Sequence, residues 1–292
     1  MYEARIIARQ GKTYIVEDQL HQQYQCHARS QAIDAVCGDF VQCIKYEDTK
    51  DVVEEILPRK NQITRIDNFN REKTLAANID HILVVIAPNP AFSTLLIDKY
   101  LACAVLNRCK VSLVINKAEL LNDFQLDIQE LESIYKNLVD QFFITSAKLG
   151  YGITAIRKSL FNETSIMVGQ SGVGKSSIIN RLLNNNDIKV SSISEQIQQG
   201  RHTTSNTYAH TVNQYGKIID SPGVRTFTPI FNHQNELSLG FIEFKEYIGK
   251  CKFSNCQHIN EPGCAIINAV NENKIHISRY NNYLAMRQEI NQ

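Results

Sequence analysis

The sequence predicts a multidomain α/β protein with three parts: an N-terminal OB-fold β-barrel, a doubly wound α/β sheet and a C-terminal helical, metal-binding segment. Three observations lead to this prediction. Short β-rich runs fill residues 1–67, alternating apolar strands and helices fill residues 68–230, and a cysteine–histidine cluster lies within residues 231–292. We take these three ranges as the predicted domain limits.

Composition and charge narrow the class of protein. The 292 residues carry 31 Lys and Arg against 30 Asp and Glu, which is less basic than most free-standing nucleic-acid binders. The N-terminus has no apolar core of signal-peptide length, and the best apolar run, residues 82–88, is far shorter than the roughly 20 residues of a membrane span. We expect a soluble, cytoplasmic protein with no membrane partner and with its eight cysteines reduced.

The first segment has the pattern of a small barrel. ARIIARQGKTYIVED alternates in polarity and breaks at Gly11, as a hairpin does. QQYQCHARS, DFVQCIKYED and DVVEEILPRKNQITR follow as further β-rich runs. About five short strands in such a length favour an OB-fold, with another β-barrel or an SH3-like module as the alternative.

The middle segment alternates between buried strands and helices. HILVVIAP (81–88) and KVSLVIN (110–116) are continuous apolar runs, typical of parallel strands that are covered on both faces. SIMVG (165–169) and GKIID (216–220) add two strands, and SSIINRLLN (176–184) reads as a helix between them. This alternation predicts a doubly wound sheet.

A phosphate-binding loop lies inside this sheet. GQSGVGKSS at 169–177 fits the pattern G-x-x-x-x-G-K-[ST], follows a predicted strand and precedes a predicted helix. The glycines let backbone N–H groups point at phosphate oxygens, Lys175 reaches the β- and γ-phosphates, and the Ser176 hydroxyl is a Mg²⁺ ligand. The predicted phosphate-loop residues are Gly169, Gln170, Ser171, Gly172, Val173, Gly174, Lys175, Ser176 and Ser177.

Two downstream segments add Mg²⁺ and γ-phosphate contacts. IIDSPG (218–223) ends a buried strand with Asp220, which can hold Mg²⁺ through water, and the Gly223 N–H can reach the γ-phosphate. The polar segment GRHTTS (200–205) can supply a threonine hydroxyl that completes the Mg²⁺ shell. Thr203 and Thr204 are both possible, and we choose Thr204.

The catalytic group is harder to locate. Many GTPases carry a glutamine directly after D-x-x-G that orients the attacking water, but Val224 occupies that position here. His202, in the polar segment GRHTTS (200–205), is the best local candidate for orienting or deprotonating the water. The alternative is that His202 is an ordinary solvent-exposed loop histidine.

Two segments upstream of the phosphate loop predict recognition of guanine. INKAE places Asn116, Lys117 and Glu119 beyond the end of a buried strand, close to the pattern N-K-x-D with Glu in place of Asp. The acid accepts hydrogen bonds from guanine N1–H and N2–H₂, which adenine cannot supply. TSAK (145–148) completes the site with Ser146, Ala147 and Lys148, since a backbone N–H near Ala147 can meet guanine O6.

Along the chain the two guanine-reading segments INKAE and TSAK come first, and the phosphate loop follows. The two segments that contact Mg²⁺ and the γ-phosphate, GRHTTS and IIDSPG, come last. A GTPase domain ordinarily begins with the phosphate loop, so this order predicts a circularly permuted domain. The sheet can still form, because the termini of a domain often lie close together.

The C-terminal segment contains a candidate zinc site. CKFSNCQHINEPGC has the spacing Cys251-x₄-Cys256-x-His258-x₅-Cys264. Three thiolates and one imidazole match a closed, four-coordinate structural Zn²⁺ site with no open position for a catalytic water. We therefore predict one structural zinc ion.

Together these motifs resemble the RsgA (YjeQ) family of small-ribosomal-subunit-dependent GTPases over nearly the whole chain. The resemblance rests on INKAE, TSAK, GQSGVGKSS, GRHTT, DSPGVR and the Cys/His spacing. It implies an N-terminal OB-fold, a permuted GTPase domain and a C-terminal zinc domain. It further implies GTP hydrolysis with Mg²⁺, stimulated by the small (30S) subunit during its late maturation, with His202 catalytic and ribosomal RNA contacted by the two flanking domains.

Two other functions stay open on the sequence. One is an RNA-binding module in which GTP or GDP only locks a conformation. The other is an ATP-dependent P-loop enzyme, which Asn116, Lys117 and Glu119 disfavour. A permuted GTPase that carries its own flanking domains also suggests a monomer.

Overall fold

The structure is a computed structural model of the chain. It describes residues 1–30, 33–46, 50–66, 71–123, 127–183, 207–213, 216–221, 223–224, 227–231 and 234–290. Among the helices of these residues, none combines the length and the apolar composition needed to cross a bilayer.

The N-terminal part of the chain forms a closed barrel. Its strands are β1 (Tyr2–Gln10), β2 (Thr13–Asp18), β3 (Gln23–Ala28), β4 (Phe40–Ile44) and β5 (Asp51–Ile56). They are ordered β1-β2-β3-β5-β4, and β4 pairs back onto β1 to close the barrel. Alternate apolar side chains such as Ile6, Val16 and Val41 fill its interior. The predicted five-stranded OB-type barrel is confirmed.

A hairpin connects the barrel to the central sheet. It consists of β6 (Gln62–Ile66) and β7 (Glu72–Ala77), which pair antiparallel as a separate two-stranded sheet. The predicted limit at residue 67 therefore falls between two paired strands, and the domain limits stay a prediction.

The central sheet is the predicted doubly wound α/β unit. Its strands are β8 (His81–Ile86), β9 (Lys110–Ile115), β10 (Gln141–Ile144), β11 (Thr164–Val168), β12 (Thr207–Thr211) and β13 (Lys217–Asp220). Its helices are α1 (Thr94–Leu106), α2 (Ile128–Tyr135), α3 (Ile153–Ser159) and α4 (Lys175–Leu183). The order is β10-β9-β8-β11-β13-β12, with parallel pairs throughout except that β12 runs antiparallel to β13.

Strand β8 shows why the apolar runs are continuous. All six of its residues are buried. Ile82 and Val84 belong to the core on one face of the sheet, while Leu83 and Val85 belong to the core on the other. A strand with two covered faces needs no alternation of polar and apolar residues.

The barrel and the central sheet share one continuous ladder. Strand β1 pairs antiparallel with β12, with Ala8 opposite Tyr208 and Arg9 opposite Thr207. A buried ion pair, Lys217 Nζ to Glu17 Oε1 at 2.7 Å, adds a second link between the two parts. Burial opposes ionisation of Glu17, but the charge of Lys217 outweighs it and lowers the pKa of Glu17.

The C-terminal part is helical. It contains α5 (Gln234–Leu237), α6 (Ala265–Asn271), α7 (Ile277–Ile290) and two 3₁₀ turns, Ser238–Gly240 and Ile242–Phe244. Phe241, Phe244 and Tyr283 form an aromatic core, with ring centroids 5.0–5.4 Å apart. A methyl group on Gly240 would lie 2.9 Å from the Ala102 Cβ, so glycine here lets the C-terminal part contact α1 closely.

A buried ionic network joins this C-terminal part to α1. Arg279, which is 1% exposed, contacts Asp98 Oδ1 at 2.5 Å and Glu243 Oε1 at 2.7 Å. Asn282 Nδ2 donates to the other Asp98 oxygen at 2.6 Å. The Arg279 guanidinium also stacks 4.6 Å from the Phe241 ring centroid. One arginine therefore neutralises an acid on each side of the interface.

Replacing Arg279 with Ala is expected to lower the free energy of unfolding by about 3–5 kcal/mol, because it leaves two buried carboxylates without their cation. Urea denaturation of the full chain measures this change. Lys274→Ala is the matched control, since Lys274 pairs with Glu272 in solvent and its removal should leave the urea midpoint nearly unchanged. Equal losses in the two variants would contradict a structural role for the network.

Candidate functional site

The predicted motifs meet at one edge of the central sheet. Strands β9, β10, β11 and β13 are parallel, and each is followed at its carboxyl end by a motif loop. These loops start after Ile115, Ile144, Val168 and Asp220. Ligands of open α/β sheets bind in the crevice at this edge.

The phosphate loop turns sharply between β11 and α4. Gly174 has φ +97, and a methyl group there would lie 2.2 Å from Asn116 Nδ2. Only glycine therefore allows the loop to pass this close to the end of β9. Helix α4 begins at Lys175, so its N-terminal N–H groups and its dipole lie at the loop, as an anion site requires.

Lys175 occupies the centre of this loop. The residue is 6% exposed, and its Nζ donates to Gly169 O at 2.6 Å and to Gln170 O at 2.8 Å. These contacts fix the ammonium inside the curl of the backbone, while the next two residues, Ser176 and Ser177, are exposed at the start of the helix.

Asn116 connects the two predicted guanine-reading loops, which follow β9 and β10 and are called the base loops below, to the phosphate loop. Its Nδ2 donates to Val173 O at 2.9 Å. Its Oδ1 accepts from Ala147 N at 3.1 Å and from Thr145 Oγ1 at 3.3 Å. One buried side chain thus fixes the relative positions of three loops.

A cavity of about 530 Å³ opens between these loops. Its lining residues are Asn116, Lys117, Glu119, Ala147, Lys148, Gly174, Ser177, Asn180 and Arg181. The predicted base-reading residues and the end of the phosphate loop therefore share one cavity. Ser146, which precedes the lining residue Ala147, is buried.

Glu119 has the electrostatic properties that a base-reading acid needs. Its Oε2 is buried and has no hydrogen-bond partner among the described residues. The Ser146 hydroxyl is the main cause that lowers the pKa of Glu119, and the charges of Lys148 and Lys117 lower it further. The group is therefore ionised at neutral pH and offers an acceptor to two adjacent N–H donors.

Lys117 lies beside the same cavity with its end group fixed. Its backbone is left-handed, with φ 60, and its Nζ donates to Asn89 O at 2.7 Å. The side chain is thereby held at both ends beside the cavity.

Arg181 and Asn180 also line the cavity, and the sequence analysis did not identify them. Arg181 Nε donates to Ala147 O at 2.8 Å, and its Nη2 donates to Lys148 O at 2.7 Å. Both residues follow Ser177 by three and four positions on α4, so they share its helix face. Helical spacing from the phosphate loop could have identified them.

The structure locates only some of the predicted switch residues. Asp220 ends β13 and is half-buried, and a methyl group on Gly223 would lie 3.1 Å from a Leu75 methyl carbon. Val224 is 1% exposed and packs into the hydrophobic core, so its side chain faces away from water. His202, Thr203 and Thr204 lie outside the described residues.

The predicted metal ligands of the C-terminal part converge. The ligand atoms of Cys251, Cys256, His258 and Cys264 all lie within 4.8 Å of one another. His258 Nδ1 is 3.5 Å from Cys251 Sγ and 3.4 Å from Cys264 Sγ, and these two sulfurs are 3.9 Å apart. A tetrahedron with metal–ligand bonds of about 2.0–2.3 Å has edges of about 3.5–3.8 Å, so the cluster fits one metal ion.

Surrounding residues fix the metal-site loop. Tyr280 donates its hydroxyl hydrogen bond to His258 O at 2.9 Å, and Arg287 Nη1 donates to Gln257 O at 2.7 Å. Burial opposes ionisation of Glu261, but backbone N–H groups from Gln257 and Ile259 bring its pKa down to about 2. The sequence analysis missed these supporting residues, because two of them come from the distant helix α7.

Comparisons with known proteins agree with this geometry. A model of the RsgA GTPase family matches residues 56–229. Proteins named small ribosomal subunit biogenesis GTPase RsgA from Saccharophagus degradans and Hahella chejuensis are each 36% identical to this chain, over 98% and 99% of it. The matches cover 86% and 84% of those relatives.

Two solved structures are similar over the whole chain. YjeQ from Thermotoga maritima has a TM-score of 0.79 and 31% identity, covering 99% of this chain and 98% of its own. YloQ, described as a circularly permuted GTPase, has a TM-score of 0.77 and 26% identity, covering 100% of this chain and 95% of its own.

Proposed function

The chain belongs to the RsgA GTPase family, and from this membership we propose that it hydrolyses GTP in the biogenesis of the small ribosomal subunit. Its domain arrangement, with a closed barrel ahead of a permuted GTPase sheet and a Cys/His cluster behind it, supports the same conclusion. The observation that carries the proposal is the cavity where both base loops meet the phosphate loop, joined by Asn116.

In this proposal, the cavity binds the guanine base. The unpartnered Glu119 oxygen accepts from guanine N1–H and N2–H₂, and the alkyl chain of Lys117 lies along the ring. Glu119 is one methylene longer than the usual aspartate, and its presence in the cavity lining supports the same role. The orphaned acceptor therefore fits a base with two adjacent donors.

The phosphate end follows from the loop geometry. Lys175 neutralises the β- and γ-phosphates, and the backbone N–H groups of the loop donate to their oxygens. Ser176 and Asp220 would hold Mg²⁺, together with Thr204 as predicted from the sequence. When bound, Mg²⁺ neutralises the charge that develops on the transferred phosphoryl group.

A residue other than Val224 must orient the water that attacks the γ-phosphate, because the Val224 side chain is buried in the core. His202 stays the predicted catalytic residue, with Gly223 donating its N–H to the γ-phosphate. A GTPase without a resident water-orienting glutamine is expected to be slow alone and to depend on its partner.

The partner contacts extend over the flanking domains. In the barrel, the Arg5 guanidinium lies 5.0 Å from the ring of Phe40, which is 43% exposed. In the C-terminal part, Lys252 Nζ lies 5.6 Å from the exposed ring of Phe253. Exposed aromatic rings paired with cations are suited to stacking on unpaired bases, so we propose that both domains contact ribosomal RNA. We propose that the protein acts as a monomer.

The Cys/His cluster is proposed to bind one structural zinc ion. Cys251, Cys256, His258 and Cys264 would fill all four positions of a tetrahedral site, leaving none for a reacting water. The ion would connect the loop before α6 to the aromatic core of the C-terminal part.

Adding purified small ribosomal subunits is expected to raise the GTP hydrolysis rate at least tenfold, since partner groups supplied in trans accelerate GTPases by about 10³–10⁵. Large subunits at the same concentration serve as the control and should leave the rate unchanged. Tight GTP binding with no stimulation would instead support a nucleotide-controlled RNA-binding protein. ATP competing as well as GTP would contradict the guanine site.

A further inference from the structure

On the nucleotide site proposed above, we propose that Arg181 is a positioning residue for guanine selectivity. It acts by holding the Ala147–Lys148 peptide so that the Lys148 N–H points at the carbonyl oxygen O6 of the base. Arg181 lies on α4, which starts at the phosphate loop, so this contact links the two ends of the site.

The guanidinium contacts two consecutive backbone carbonyls. Nε donates to Ala147 O at 2.8 Å, and Nη2 donates to Lys148 O at 2.7 Å. Two parallel donors in a rigid plane fix the orientation of the turn, as well as its position. A lysine at this position has its donors on one atom and cannot reproduce that plane.

The other polar groups of this turn are engaged. Asn116 Oδ1 accepts from the Ala147 N–H at 3.1 Å, and Ser146 Oγ accepts from the Leu149 N–H at 3.1 Å. With both carbonyls bound by the guanidinium, the Lys148 N–H is the backbone donor of the turn for which no hydrogen bond is found among the described residues. Lys148 also lines the cavity.

Peptide geometry determines where this donor points. The Ala147 carbonyl and the Lys148 N–H belong to one planar trans peptide, so they point in opposite directions. A carbonyl that faces Arg181 therefore turns the N–H away from α4. The Ala147 N–H is bound to Asn116, so Lys148 supplies the backbone N–H near Ala147 that the sequence predicts for guanine O6.

The consequence for specificity is direct. Guanine presents an acceptor at position 6, whereas adenine presents an amino donor that would oppose the Lys148 N–H. Glu119 reads N1–H and N2–H₂. These two donors and the O6 acceptor are therefore read by independent groups, and a substitution at Arg181 should affect only the reading of O6.

Contacts from α3 fix the end of α4, where Arg181 lies. Arg157 on α3 donates from Nη1 to Val212 O at 2.7 Å and from Nη2 to Leu182 O. These contacts fix the last turn of α4, from which Arg181 extends. The position of the guanidinium is thus set by the fold and does not depend on the base.

The test measures dissociation constants of the full-length protein for GDP, 6-thio-GDP, IDP and ADP by competition with a fluorescent GDP. 6-Thio-GDP replaces O6 with sulfur, a weak acceptor, while IDP lacks the N2 amino group that Glu119 reads. The variants are Arg181→Ala and Arg181→Lys. Lys158→Ala removes an exposed charge from α3 and is the control.

For the wild type we expect 6-thio-GDP to bind about tenfold more weakly than GDP, as the loss of one hydrogen bond predicts. In Arg181→Ala the gap between GDP and 6-thio-GDP should shrink to about two- to threefold, while the gap between GDP and IDP stays as in the wild type. Arg181→Lys should give a smaller decrease, and it replaces Arg181→Ala if that variant folds poorly.

A gap that stays tenfold in both Arg181 variants would overturn the proposal, even if every affinity fell, because a purely structural role weakens all nucleotides equally. Failure of the proposed function gives a different result: wild-type protein would then bind ADP as tightly as GDP.

Discussion

Replacing Lys175 with Ala is expected to reduce GTP hydrolysis by at least a hundredfold, with and without small ribosomal subunits. Its ammonium lies at the centre of the phosphate loop, held by Gly169 O and Gln170 O. Loss of this cation removes the charge that balances the β- and γ-phosphates in the ground state and in the transition state. Single-turnover hydrolysis and GTP affinity measure the two effects separately.

Lys175→Arg should be nearly as inactive as Lys175→Ala. The lysine is 6% exposed, and its single ammonium donates to two loop carbonyls, an arrangement that a planar guanidinium with its own donor geometry does not reproduce. Lys158→Ala is again the control, because Lys158 is exposed in the last turn of α3. Retention of a tenth or more of wild-type activity in either Lys175 variant would show that another group neutralises the phosphates.

The second large effect is expected on removal of zinc. Purified protein should contain about one zinc per chain, and its removal by a chelator should lower the melting temperature by more than about 10 °C. Within the ligand loop, residues 251–264, only the two ligands His258 and Cys264 are buried, so the loop has little apolar packing of its own. The helix α6 that follows has seven residues, and a helix of this length is unstable alone. The Cys251 and Cys264 side chains also pack in the C-terminal core.

Cys256→Ser should abolish zinc retention, which elemental analysis measures. Cys109→Ser is the matched control, since Cys109 is a half-buried thiol in the central domain, away from the four ligands. It should retain one zinc per chain. If the purified protein holds no metal and chelators leave its melting temperature unchanged, the cluster is a set of reduced thiols.

Both flanking domains are joined to the GTPase domain by specific contacts. The barrel joins the sheet through β1 and β12, and the C-terminal part joins it through Arg279 and α1. Both flanking domains therefore contact the GTPase domain through backbone pairing or buried charge. Disrupting either flanking domain should therefore lower the stability of the full chain as well as weaken ribosome binding.

Much of the nucleotide site could be predicted from the sequence. The phosphate loop, INKAE, TSAK and the Cys/His spacing are each contiguous, and each requires particular residue types at fixed separations. Such short segments adopt nearly the same geometry wherever they occur, because neighbouring residues are held together by the backbone itself. Their order along the chain also indicated the permutation and the doubly wound sheet.

The contacts between distant segments could not be predicted in this way. Helix α4 carries Arg181, yet the sequence gives no sign that its side chain binds the turn at 147–148. The identity of Val224 already excludes a hydrogen bond to water from its side chain, but its burial in the core is a tertiary fact. The domain limits and the individual site residues stay predictions, with His202, Thr203 and Thr204 outside the described residues.

The sequence alone therefore determined the fold class and the GTPase class and predicted the nucleotide and metal-ligand residues, since these depend on local spacing and on apolar periodicity. Only the tertiary structure decided how the parts are joined. These connections are the β1–β12 ladder, the Arg279 network and the hydrogen bonds from Arg181 to the turn at 147–148. The physical reason is the same in each case. These contacts join residues far apart in sequence, and packing in three dimensions selects them among many partners that local pattern permits equally.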